Sequence, residues 1–98
     1  MIGNTYMRPL KKEFVGRGEV KGFNFSQISK TNFGFLYEVN TGHTIYYEVF
    51  KKKVNTQYDC VSYPRSKSFG IWAWTTTDIK QANKILESFQ ERILIEAI

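Results

Sequence analysis

Ninety-eight residues with a formal charge of +5 and 16% aromatic side chains fit one domain with one core, and at this size roughly 60 to 70% of the unfolded surface can be buried. A single cysteine, Cys60, excludes an internal disulfide, and no apolar run approaches the length of a membrane span, so a soluble cytoplasmic protein is expected. The charge is uneven: residues 1–67 carry 11 basic and 5 acidic side chains, and residues 68–98 carry 3 and 4, so the positive field belongs to the first two thirds of the chain and favours acidic partners.

Residues 1–13 hold Arg8, Lys11 and Lys12 around Pro9 without a stable period and read as a flexible basic arm, ahead of a single domain over 14–98. Gly16 and Gly18 flank Arg17 and mark a bend. Glu19–Ser29 is the first predicted strand, with Phe23 and Phe25 on one face, and Lys30, Thr31 and Asn32 form a short turn that sets Phe25 opposite Tyr37.

The segment Phe33–Phe50 is a predicted hairpin of two aromatic-rich runs. A three-residue loop at Asn40, Thr41 and Gly42 pairs Phe33 with Val49, Phe35 with Tyr47 and Tyr37 with Ile45. That register gathers Phe33, Phe35, Tyr37, Val39, Ile45, Tyr47 and Val49 on the core face. Leu36, Glu38, Tyr46, Glu48 and Phe50 are left on the other. Lys51, Lys52 and Lys53 then lead to a fourth strand, Tyr58–Tyr63, closed by Pro64. Arg65, Ser66, Lys67 and Ser68 form a loop, and the fifth strand, Phe69–Thr75, places Trp72 and Trp74 on one side.

Thr77 or Asp78 caps a helix whose stripe is Ile79, Ala82, Leu86, Phe89 and Ile93, and the apolar tail 93–98 either tucks under the sheet or meets a partner. The fold class is therefore α+β: a five-stranded antiparallel meander with one C-terminal helix packed on one face.

No motif supports catalysis, metal binding or a cofactor. His43 and Cys60 each stand alone, and Glu38 and Glu48 are not opposed in the chosen register, where they read as surface carboxylates beside lysines. Basic groups interleaved with aromatic rings are the chemistry that holds single-stranded DNA or RNA, cations on phosphates and rings under bases. The predicted site comprises the cations Arg17, Lys51, Lys52, Lys53, Arg65 and Lys67 with the rings Tyr46, Phe50 and Trp72. The architecture, a sheet followed by a helix, resembles that of the Whirly single-stranded DNA-binding proteins, and no residue is carried over from it. The alternative expectation is a protein interaction module that forms a homodimer through the second sheet face and the apolar tail. Both expectations describe a binding protein, not an enzyme.

Overall fold

The structure, a computed structural model, describes residues 7–89 and the backbone of Leu94–Glu96. A five-stranded antiparallel sheet runs in the order β1 (Glu13–Val15), β2 (Asn24–Lys30), β3 (Gly34–Asn40), β4 (Ile45–Lys51) and β7 (Ala73–Thr76). One helix, α1 (Ile79–Ser88), packs on one face. The other face is covered by a small three-stranded sheet of β6 (Cys60–Val61), β5 (Lys53–Asn55) and β8 (Leu94–Glu96), together with the loops around it. The expected α+β class and the meander order are present. The strands that build them differ in part from those the sequence predicts.

The central hairpin closes through four residues, Thr41 to Thr44, and not three. Thr41 N–H donates to the Thr44 carbonyl at 3.0 Å, the Thr41 hydroxyl oxygen accepts from the backbone of His43 and Thr44, and the Asn40 side chain accepts from Gly42 at 2.8 Å. Gly42 sits at φ +92°, a conformation that a side chain resists. Phe35 therefore pairs with Phe50, Tyr37 with Glu48 and Val39 with Tyr46. The shift relative to the predicted register is an odd number of residues, so β4 turns over: Tyr46, Glu48 and Phe50 join Phe35, Tyr37 and Val39, while Tyr47 and Val49 go to the helix side with Leu36. Between β2 and β3 the displacement is even. Phe25 meets Val39 instead of Tyr37 and keeps its face, and a bulge at Ile28 leaves that side chain 48% exposed.

Two predicted strands change place. Glu19 lies in a 3-10 turn (Gly18–Val20), so the first long strand starts only at Asn24. The predicted fourth strand shortens to β6, which pairs with β5 outside the main sheet because Asn55 turns the chain: its side-chain oxygen accepts from Gln57 and Tyr58, and Asp59 adopts φ 52°. The last strand of the main sheet begins at Ala73. Trp74 accordingly packs against α1, and Trp72, still in the preceding loop, packs on the opposite face.

The basic N-terminal segment is built in from Arg8 onward. Arg8 N–H donates to the Asp59 carbonyl, the Arg8 carbonyl accepts from Val61, and the Lys12 carbonyl accepts from Gln27. Tyr37 Oη adds a fourth tie, donating to the Lys11 carbonyl at 2.6 Å while accepting from Gln27. These bonds tie the described part of the expected arm, from Arg8 to Lys12, to β2, β3 and the segment around Asp59. Residues 1–6 lie outside the described residues.

On the helix side, Asp78 is the N-cap and accepts from Lys80 N–H at 2.9 Å. Ala82, Leu86 and Phe89 bury against Leu36 and Val49. Gly34 lies directly beneath the ring of Phe89, the C-cap residue of α1. A Cβ there would lie 2.6 Å from the Phe89 ring and 2.7 Å from the Phe50 carbonyl, so glycine is what lets Phe89 seat. Ile93, predicted on the same stripe, lies outside the described residues, as do Ala97 and Ile98. The tail backbone at Leu94–Glu96 is strand, pairing in parallel with β5. Among the described residues no helix is long and apolar enough to cross a membrane.

Candidate functional site

On the sheet face away from the helix, one side chain organises the surroundings. The Tyr63 ring meets Phe14, Phe25, Tyr37 and Phe50 edge-on, at centroid distances of 5.3, 5.7, 5.1 and 4.8 Å. Edge-to-face contacts of this kind place a ring's positive rim on a neighbour's negative face. The Tyr63 hydroxyl donates to Glu48 Oε1 at 2.5 Å, and Tyr46, two residues along β4, lies on the same face.

Glu48 is 7% exposed, not the surface carboxylate that the sequence predicts. Burial pushes its pKa above the usual carboxylate range, and the Tyr63 hydroxyl, with that of Tyr46 nearby, pulls it partly back by favouring the charged form. The Tyr63 and Tyr46 hydroxyls are both pushed up, first by burial and then by the charge of Glu48. Glu38, in the next register position, points to the opposite face, so the two carboxylates do not form a pair.

Stability should follow this carboxylate through pH. The folded pKa is raised, so between the ordinary carboxylate value and the raised one the folded protein keeps a proton that the unfolded chain has released. The contribution of Glu48 is then most favourable below that window and falls as pH rises through it, by about 1.4 kcal/mol per pKa unit of elevation. E48Q should flatten this slope, read as urea midpoints across roughly pH 4 to 8, a span that brackets raised carboxylates. An unchanged profile would show that Glu48 keeps an ordinary pKa.

Glu48 and Tyr63 lie in the lining of a cleft of ≈ 780 Å³. Phe14, Val20, Phe25 and Phe69 give it apolar walls, and Lys11, Arg17 and Arg65 bring three cations to it beside a second carboxylate, Glu19. A second cavity, of ≈ 350 Å³, adjoins the small sheet and takes Arg8, Lys53 and Arg65 into its lining with Ser62 and Ser68. Tyr58 lines this cavity with its side chain 64% exposed. Tyr63 and Arg65 line both spaces, so the two cavities are neighbours separated by one short stretch of chain. The 3-10 turn (Ser66–Ser68) fixes that stretch: Ser68 N–H donates to the Arg65 carbonyl at 2.8 Å, and the Ser68 hydroxyl accepts from Arg65 N–H.

The residues predicted as a site separate accordingly. Arg17 and Arg65 come together at the larger cleft, and Lys53 joins Arg65 at the smaller one. Lys67 is exposed in the 3-10 turn, and Lys52 is half-buried where β4 ends, its N–H donating to the Phe33 carbonyl. Lys51 lies on the helix side, its ammonium 5.9 Å from the Phe89 ring centre. The rings fare differently. Phe50 is wholly buried among Phe35, Tyr37, Tyr63 and Trp72. Trp72 is 8% exposed and lies under the Lys53 ammonium at 5.1 Å. Neither offers an open face on which a base could stack, because the turned-over β4 directs Phe50 inward. Tyr46 is half-buried beside Glu48.

Arg8, Lys11 and Tyr58 escaped the sequence reading. The signal for Tyr58 was available in Asn55-Thr56-Gln57, a polar run behind an asparagine that marks a turn and throws the next ring outward. Arg8 and Lys11 carry no local signal, since backbone pairing with distant segments positions them. Among the described residues no three His, Cys, Asp or Glu side chains gather as metal ligands would, and the free Cys60 lines the smaller cavity. No family model matches this chain, and neither a curated protein nor a solved structure matches it.

Proposed function

We propose that the protein is a non-catalytic binder of single-stranded nucleic acid, with the phosphates running past Arg8, Lys53 and Arg65 and a base stacked on Tyr58. The observation that supports this reading is the smaller cavity. It draws together three cations with no carboxylate among its described lining residues, and an exposed ring stands beside them. Cations tracking a backbone and rings accepting any base are the two components of sequence-tolerant single-strand binding. The site keeps Lys53 and Arg65 of the predicted set and moves the stacking role from Phe50 and Trp72 to Tyr58. A cytoplasmic location, expected from the lone cysteine, belongs to the same proposal.

The test is fluorescence anisotropy of a labelled single-stranded oligonucleotide at several salt concentrations. Affinity should fall with salt at a slope of about −0.7 in log–log form for each phosphate neutralised, and R8A, K53A and R65A should each lower that slope. Y58A should weaken binding by ~1 to 3 kcal/mol while leaving the slope unchanged, because stacking is not ionic. Absence of binding at low salt, or affinity indifferent to salt, overturns the proposal.

A further inference from the structure

Strand binding at the smaller cavity leaves the larger cleft, and the carboxylate buried in it, without a role. We infer that this cleft admits one unstacked nucleobase carrying an exocyclic amino group, whose N–H is accepted by Glu48. The inference rests on the single-strand reading above and adds a base preference to it.

Three features point the same way. The first is continuity: Arg65 lines both spaces, so a backbone held at the smaller cavity passes directly along the rim of the larger one, where Arg17 and Lys11 supply further cations. The second is the wall. Phe14 and Phe25 stack at 4.7 Å and are joined by Val20 and Phe69, an apolar surface suited to a planar ring, and ≈ 780 Å³ is ample for a single base.

The third is the floor. An ionised carboxylate has about four acceptor sites, and the Tyr63 hydroxyl occupies one, so acceptor capacity remains. Glu48 lines the cleft while being 7% exposed, so a ligand group that reaches it leaves water behind. Cytosine presents an N4 amino donor where thymine presents an O4 acceptor. A thymine seated in the same orientation would set its O4 against the carboxylate, acceptor against acceptor in a desolvated site, and would have to shift in the cleft to offer its N3–H instead. Around Glu48 the lining carries Lys11, Arg17 and Arg65 against one further carboxylate, Glu19, and this cationic excess suits the attached phosphate and disfavours a simple cation drawn to Glu48.

Oligo-dC and oligo-dT of equal length, titrated by anisotropy at one low salt concentration, isolate this difference, because the bases match in size. Wild-type protein should prefer oligo-dC by about tenfold or more, the scale of one well-made base contact. E48Q, whose amide both donates and accepts, should bring the two affinities together. Should E48Q fail to fold, an oligonucleotide of N4,N4-dimethylcytosine removes the donor from the ligand instead, and wild-type protein should bind it no better than oligo-dT. Equal affinity of wild-type protein for oligo-dC and oligo-dT overturns the base preference, as does a preference that survives E48Q. In either case salt-dependent binding that R65A weakens leaves the single-strand reading standing, whereas no binding to either oligonucleotide removes both.

Discussion

Y63A is expected to lower unfolding stability by ~3 to 5 kcal/mol, the usual consequence of removing a large aromatic side chain from a packed cluster. The ring touches Phe14, Phe25, Tyr37 and Phe50, which come from β1, β2, β3 and β4, so one truncation loosens every strand pairing on that face except the one to β7. Y63F separates ring from hydroxyl. It keeps the edge-to-face contacts and removes the donor to Glu48, at an expected cost of about 1.5 to 3 kcal/mol, typical of a hydrogen bond to a charged group. That second loss should shrink in acid, where Glu48 is protonated. Urea unfolding at neutral and acid pH reads both, and a Y63F protein as stable as wild type would mean that the carboxylate does not depend on this hydroxyl.

Phe50 supplies the second large effect, and the direction of the result discriminates between two pictures of the sheet. As a wholly buried ring with Phe35 at 5.6 Å and Tyr37 at 5.7 Å, it should cost ~3 to 5 kcal/mol when cut to alanine. The Trp72 ring stands 6.2 Å from it, so tryptophan emission should shift as well. A solvent-facing stacking ring, the role predicted from the sequence, would give an F50A protein of unchanged stability and weakened oligonucleotide binding. A urea melt distinguishes the two outcomes.

The register of β4 explains why the sequence supports both pictures. Its alternate positions are Ile45, Tyr47 and Val49 on one side and Tyr46, Glu48 and Phe50 on the other, and each set has apolar members. Period-two reasoning therefore identifies the strand without choosing its inner face. The choice is made in the loop, where the Thr41 hydroxyl holds two backbone N–H groups and lengthens the turn by one residue. The helix was readable because its signals are local: the Asp78 cap and the stripe of Ala82, Leu86 and Phe89 sit within a few turns of each other. Glu48 was not readable as an interior group, since its donor Tyr63 comes from a segment outside the main sheet. The same limit applies to the basic groups. Charge asymmetry singled out the first two thirds of the chain, and backbone pairing of Arg8 with Asp59 and Val61 decided which cations share a cavity.

The pairing of β5 with β8 bears on how the chain assembles. The β3–β4 hairpin joins neighbours in sequence and can form as soon as its loop closes, whereas Lys53 must wait for Leu94, with the whole of β7 and α1 between them. Closing so long a loop carries a larger entropy cost and yields only a three-residue parallel ladder, so this contact is expected to form late in folding. The strand that carries Lys53 thus gains its second neighbour only through a contact that spans the longest stretch of chain in the small sheet.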